Sequence, residues 1–205
     1  MYLAFFQQIR WENRLREDKG RTCKINVDGA DFRIQQPTQF DTKWYSHKFN
    51  GPAVRYELAS CIQTGDIVWM NGTFCPGNYN DIQIFRDKLK DKLLRAGEKA
   101  EADKGYRGEL RTIRHPGVYI SLADRKAKKS SRAKHETLNR RMKQFGCLQQ
   151  TYRHDLKKHS MIFRAVATIT QMSFDVGEKP YQVKYWNDLK SWRYWDGEVN
   201  CINLI

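Results

Sequence analysis

Three acidic side chains sit in settings that suit metal-assisted phosphoryl chemistry. Asp28 lies in Ile25-Asn26-Val27-Asp28-Gly29, Asp103 in Ala102-Asp103-Lys104-Gly105-Tyr106-Arg107-Gly108, and Glu136 in His135-Glu136-Thr137-Leu138-Asn139-Arg140-Arg141. An acid after an apolar strand, a second beside a glycine turn and a third on a basic helix could together hold two divalent cations against a phosphodiester. Hard carboxylate oxygens suit Mg²⁺, and paired metals clamp both the attacking and the leaving oxygen of an in-line displacement. Spacing alone does not select these three, because 23 acidic residues offer many triples. Each also has an ordinary alternative. Asp28-Gly29 is a common turn pair, Asp103 could close a turn, and Glu136 could be a solvated partner of Arg140 one helical turn on.

The sequence around each acid carries more information than its position. Four blocks stand out: Asn26 to Ile34; Trp44 to Pro52 followed by Cys61 to Trp69; Asn80 to Arg86 with the Asp103 glycine turn; and His135 to Phe145. Together they resemble the DDE superfamily endonuclease domain of eukaryotic Harbinger-type transposases, from about Cys23 to about Tyr185. The resemblance implies an RNase H-like fold, a mixed β-sheet flanked by helices on both faces. It implies cut-and-paste DNA chemistry with Asp28, Asp103 and Glu136 as catalytic residues and ligands of two Mg²⁺ ions, Mn²⁺ being the alternative ion. Asp28 would bridge both metals, Asp103 would hold one and Glu136 would complete the shell of the other. Asp31 and Glu101 are the nearby decoys. His47, Lys48, Asn80 and Asp81 resemble positions neighbouring the site, Asp81 being read first as a helix cap.

The chain divides into a short N-terminal segment (1–22), the endonuclease domain (23–185) and a Trp- and Tyr-rich tail (186–205) beyond the resemblance. Full-length relatives carry a helical DNA-binding portion upstream of the first catalytic Asp. Here the short Phe5–Glu17 stretch is the one helix expected there. The expectation is therefore a catalytic half, a fragment or relic of a transposase, targeted by a separate Myb-like DNA-binding protein. The competing reading is a non-catalytic nucleic-acid-binding protein derived from a transposase. RNase H-type cleavage of RNA is a third, sharing fold and ions.

Charge points to a polyanionic partner. Of a net charge of +14, most comes from Arg125–Lys158, where 12 Lys and Arg face two acids, Glu136 and Asp155. Such a block is the electrostatic footprint of nucleic acid. Lys126, Lys128, Lys129, Arg132, Lys134, Arg140 and Lys143 are the expected DNA-binding residues. The basic run also fits nuclear import, so the nucleus is the expected location and the cytoplasm the alternative. No apolar run approaches the ~20 residues of a membrane span. Five cysteines without a CxxC pair give neither a disulfide framework nor a zinc ribbon. The five histidines are scattered and read as ordinary polar positions.

These groups need a scaffold, and the pattern suggests one. Thr22–Val27 reads as a strand ending on Asp28-Gly29, with a short β segment at Phe32–Ile34. Val54–Ala59 and Ile67–Met70 read as a hairpin around Thr64-Gly65-Asp66. A helix capped by Asp81 should run to about Leu94. Lys99–Asp103 is a strand only by resemblance, while Tyr119–Leu122 is a better strand on propensity. Asp124–Lys134 reads as a basic loop, followed by a helix from Ser131 or Lys134 to Gln150 and another from His159 to Met172. On the Glu136 helix, Arg140 and Lys143 fall within about 40° of Glu136, and Leu138, Met142 and Phe145 on the far side. Trp44, Tyr45, Tyr106 and Tyr152 read as core aromatics before base-stacking ones.

Overall fold

The computed structural model describes residues 8–18, 20, 22–39, 41–114 and 122–178. At its centre is strand β1, Cys23–Arg33. Strand β2 (Tyr45–Ser46) leads into β3 (Gly51–Cys61), and β4 (Ile67–Phe74) follows the turn. The short strands β5 (Lys99–Glu101) and β6 (Ile113–Arg114) come later. β3 lies antiparallel to β1, with β4 antiparallel on its outer side and β2 against its first residues. On the other side of β1, β5 and then β6 run parallel. The sheet is mixed, and its order is that of the RNase H-like fold which the resemblance implied.

Side chains alternate across β1, and both of its faces are covered. Ile25 and Val27 pack with Ala59, Phe85, Leu89 and Leu93 under helices α1 (Asp81–Asp87) and α2 (Leu89–Ala96). Ala30 and Phe32 pack with Tyr56, Leu58, Leu138, Met142 and Phe163 under α3 (Leu122–Met142), α4 (Gly146–Gln149) and α5 (Leu156–Asp175). Of the four expected core aromatics Tyr106 and Tyr152 are buried and Trp44 packs against the second cluster, whereas Tyr45 is half-buried outside both. Among the described residues no helix is long and apolar enough to cross a membrane.

Several expectations change. β1 does not stop at Asp28-Gly29 but continues to Arg33, paired with β3 throughout, so no turn follows the acid. The helix from Asp81 breaks at Lys88 (φ −142°), and its cap is Asn80, not Asp81. Asn80 and Gln83 form a reciprocal capping box, each side chain accepting from the other's backbone N–H at 3.0 and 2.9 Å. The supposed loop Asp124–Lys134 is helical, because Arg, Lys and Ala are strong helix formers and polarity alone does not make a loop. That helix ends at Met142, and α4 is separate. In the N-terminal stretch Trp11–Leu15 form a 3₁₀ turn, and residues 1–7 lie outside the described residues. So do Tyr119–Ser121 of the expected strand, whose remaining residue Leu122 opens α3.

Glu57 on β3 pairs in register with Gly29 and is only 1% exposed. It accepts a hydrogen bond from Trp69 Nε1 at 2.9 Å. Burial pushes its carboxyl up to about 8, the Trp69 bond opposes the shift, and Asp81 and Asp87 add to it. A carboxyl whose folded pKa is raised loses stability as pH climbs from the unfolded value of 4.5 toward about 8. Glu57→Gln keeps an acceptor for Trp69 and removes the charge. It should raise the thermal midpoint more at pH 8 than at pH 5, a gain on the order of 1–3 kcal/mol at the higher pH. Melting curves at both pH values read this directly, and an equal shift at both would refute the assignment.

Candidate active site

Parallel pairing brings two distant acids together. Asn26 on β1 is opposite Glu101 on β5. Two residues further on stand Asp28, still in β1, and Asp103, in the turn that follows β5, so the paired strands deliver both to one end of the sheet. Asp28 accepts a hydrogen bond from the Gly29 N–H at 2.8 Å. Asp103 caps the 3₁₀ turn Lys104–Tyr106 by accepting from the Gly105 N–H at 2.7 Å. Both line one small cavity of about 40 Å³, together with Asn26, Arg132 and His135. That volume accommodates an ion or one or two waters.

The electrostatics of this pair favour a cation. Burial raises the Asp28 carboxyl above its usual range; Lys48 opposes the shift, Asp103 adds to it, and the Gly29 N–H and Arg132 offset it in part. Two neighbouring carboxylates, one of them desolvated, are unfavourable when both are ionised. A divalent cation between them would relieve the repulsion, and oxygen-only donors suit Mg²⁺. The residues present fit such an ion. Among the described residues no group of three or more His, Cys, Asp or Glu is arranged to hold a metal. The fold thus brings two of the three expected acids into one cavity.

Glu136, the third acid expected from the sequence, stands on α3 beside the cavity rather than in its lining. Its carboxylate bonds Arg132 Nε at 3.1 Å, with 60% of the side chain exposed. The ion-pair partner is therefore Arg132, one turn back, rather than Arg140 one turn on. The helix is sided as expected: Glu136 and Arg140 are exposed, while Leu138 and Met142 are buried. His135, passed over in the sequence, lines the cavity and is 2% exposed. Its Nδ1 meets Ser60 Oγ at 3.3 Å, and burial lowers its pKa to about 4, so the ring is neutral at pH 7. The signal was present: His135, Leu138 and Met142 follow the i, i+3, i+7 spacing of a buried face.

The remaining candidates separate by burial. Asp31, the decoy, is fully engaged elsewhere, accepting from Arg55 Nε at 2.7 Å and Ser46 Oγ at 2.6 Å. Burial acts against its ionisation, but the Arg55 and Ser46 bonds outweigh it and hold the carboxyl below its usual range. Glu101 is buried on β5. Lys48 donates to the Gly29 carbonyl at 2.7 Å, and Lys143 lies 5.6 and 5.7 Å from the ring centres of Phe32 and Phe49. His47 is exposed, edge-on to Tyr45. Lys134, expected to grip DNA, is instead buried, donating to the Gln63 and Ile62 carbonyls at 2.7 and 3.2 Å. Its long stem reaches main-chain oxygens of the β3–β4 turn, which removes it from the DNA-facing set. Lys129, Arg132 and Arg140 are exposed. The side chains of Lys126 and Lys128 lie outside the described residues.

Residues 27–171 match the family model described as DDE superfamily endonuclease, a span that holds Asp28, Asp103 and Glu136 and covers more than half of the chain. No curated protein and no solved structure matches.

If the strain at the pair is electrostatic, Asp28→Asn should raise the thermal midpoint of the metal-free protein at pH 7 by a few degrees. Added Mg²⁺ should stabilise the wild type and leave the variant unchanged. Calorimetry with and without Mg²⁺ checks both, and a lower midpoint for the metal-free variant would contradict the repulsion.

Proposed function

Because the chain belongs to the DDE superfamily endonucleases, we propose that it cuts DNA phosphodiester bonds as the catalytic domain of a Harbinger-type transposase, with Asp28, Asp103 and Glu136 holding two divalent cations. The observation that carries this reading is the cavity shared by Asp28, on β1, and Asp103, just past the end of the parallel neighbour β5. Bound divalent cations would supply an activated water or 3′-hydroxyl and charge stabilisation for the departing oxygen. The side chains then have distinct tasks. Asp28 and Asp103 present oxygen ligands from a rigid sheet, which fixes their separation before substrate arrives. Arg132 faces the same cavity, so an incoming phosphate competes with Glu136 for its guanidinium and frees that carboxylate to join the pair. Neutral His135 closes the cavity wall and adds no positive charge to it. Lys48 and Lys143 place cations at the rim.

DNA is held mainly by the exposed cations of α3, and the nucleus is the site of action, on the strength of the basic run Arg125–Lys134. A separate Myb-like protein supplies sequence recognition, as the likeness to Harbinger relatives suggests. One observation favours the second reading, a transposase-derived binding protein without activity: Glu136 is bonded to Arg132 and stands outside the cavity lining.

A supercoiled-plasmid assay separates the two. The active reading expects nicking that requires Mg²⁺ or Mn²⁺ and falls at least about 10³-fold in Asp28→Asn, Asp103→Asn and Glu136→Gln, with DNA affinity retained. Binding without cutting favours the alternative, and metal-independent nicking would contradict the two-cation reading. If about six phosphates are neutralised, log K should fall against log salt with a slope of roughly −5. Reversing Lys126, Lys128 and Lys129 to Glu should flatten that slope by about half, and an unchanged slope would remove α3 from the DNA interface.

A further inference from the structure

Gly29 and Gly105 are not needed for backbone freedom, since neither adopts a positive φ. They are small because of Asp81. A methyl group built on Gly29 would lie 2.2 Å from Asp81 Oδ1, and one on Gly105 would lie 3.0 Å from Asp103 Oδ1 and 3.1 Å from Asp81 Oδ2. Each glycine is next to, or two residues after, one of the paired acids. The Gly105 N–H is also the donor that holds the Asp103 carboxylate. Asp81 approaches from the α1 side of the sheet, the side that Gly29 shares with Val27, whereas Asp28 faces α3.

The Asp81 side chain has no capping duty, because Asn80 caps α1. Its anchor is Arg55, whose Nη1 lies 3.3 Å from Asp81 Oδ1 while Nε and Nη2 grip Asp31 at 2.7 and 2.9 Å. Arg55 Nη1 also donates to the Tyr79 carbonyl at 3.2 Å, just before the α1 cap. The guanidinium thus locks α1 to β1 and β3, with the Asp81 carboxylate against the two glycines. Asp81 Oδ1 is buried and accepts no hydrogen bond. Its charge is felt at the site as well: burial raises its carboxyl, Arg55 and Lys48 counter this, and Asp28 and Asp103 add to the rise.

We propose that Asp81 is a positioning residue for the Asp28–Asp103 pair, wedged from the opposite face of the sheet against the main chain at Gly29 and Gly105, where it fixes the spacing of the two acids and adds a negative charge that draws a divalent cation. The inference rests on the reading of Asp28 and Asp103 as metal ligands. It assigns the glycine after the first acid and the glycine of the second acid's turn a common cause. Gly29 leaves room for the Asp81 carboxylate, and Gly105 for those of Asp81 and Asp103 together.

The test uses the full chain and Mn²⁺ alone, titrated by calorimetry, with circular dichroism confirming the fold. Affinity in carboxylate sites follows charge and rigidity. Asp81→Asn should therefore weaken Mn²⁺ binding about tenfold, and Gly29→Ala, which keeps every charge but displaces the wedge, should weaken it comparably. Wild-type affinity in either variant overturns the proposal. A second measurement needs no metal. Gly29→Ala should lower the thermal midpoint by about 5 °C or more in the wild type, and by under about 1 °C in Asp81→Ser, where the methyl has room. Equal losses in both backgrounds overturn the wedge. If the wild type binds no Mn²⁺, the metal reading of the pair fails, and this coupling alone decides whether Asp81 sets the glycines.

Discussion

Two carboxylates side by side in a small, partly desolvated cavity are the constraint around which the rest of this protein is arranged. Left in water they would separate; here the parallel register of β1 and β5 holds them together. The sheet can impose this because β1 is paired on both edges and covered on both faces, so neither acid can move without disturbing a packed core. The surrounding cations, Lys48 and Arg132, offset the repulsion without cancelling it, for Asp28 remains raised. A divalent cation would relax such a pair, and an active site that uses one would gain its function at some expense of stability.

The two faces of the sheet divide the work. The α3 side carries the cavity, the helix with Glu136 and the exposed cations; the α1 side carries a buried polar layer of Asp31, Arg55, Glu57 and Asp81. Arg55 links Asp31 to Asp81 across this layer, and breaking such a network by removing one partner costs about 3–5 kcal/mol, because the other is left charged in a dry place. A buried layer this polar beneath an active site is explained by what it holds in position rather than by net stabilisation.

The sequence already contained the family likeness, the two aspartates that share a cavity and the sidedness of the Glu136 helix, since these depend on local words and on periodicity. Its failures are physical. Asp28-Gly29 looked like a turn because glycine beside aspartate usually is one; the residue that makes glycine necessary, Asp81, is remote in sequence and visible only in three dimensions. Asp81 was taken for the cap because it precedes an apolar helical pattern, yet Asn80 with Gln83 satisfies the box one residue earlier. β5 is three residues long and takes its direction from β1, so local propensity has little to read. Lys134 was grouped with the DNA-facing cations by charge alone, and only the placement of its ammonium on the carbonyls of residues 62 and 63 removes it.

The central claim is that Asp28 and Asp103 jointly hold a divalent cation. Its most direct measurement is localised chain cleavage by Fe²⁺ in place of Mg²⁺, with ascorbate and peroxide, read by mass spectrometry of the fragments. Radicals formed at a bound iron cut the backbone next to its ligands. The account predicts cuts near residues 28 and 103, suppressed by excess Mg²⁺ and absent in Asp28→Asn, with a further cut near residue 136 once DNA is added. Diffuse cleavage, or cuts that persist in Asp28→Asn and in saturating Mg²⁺, would contradict it.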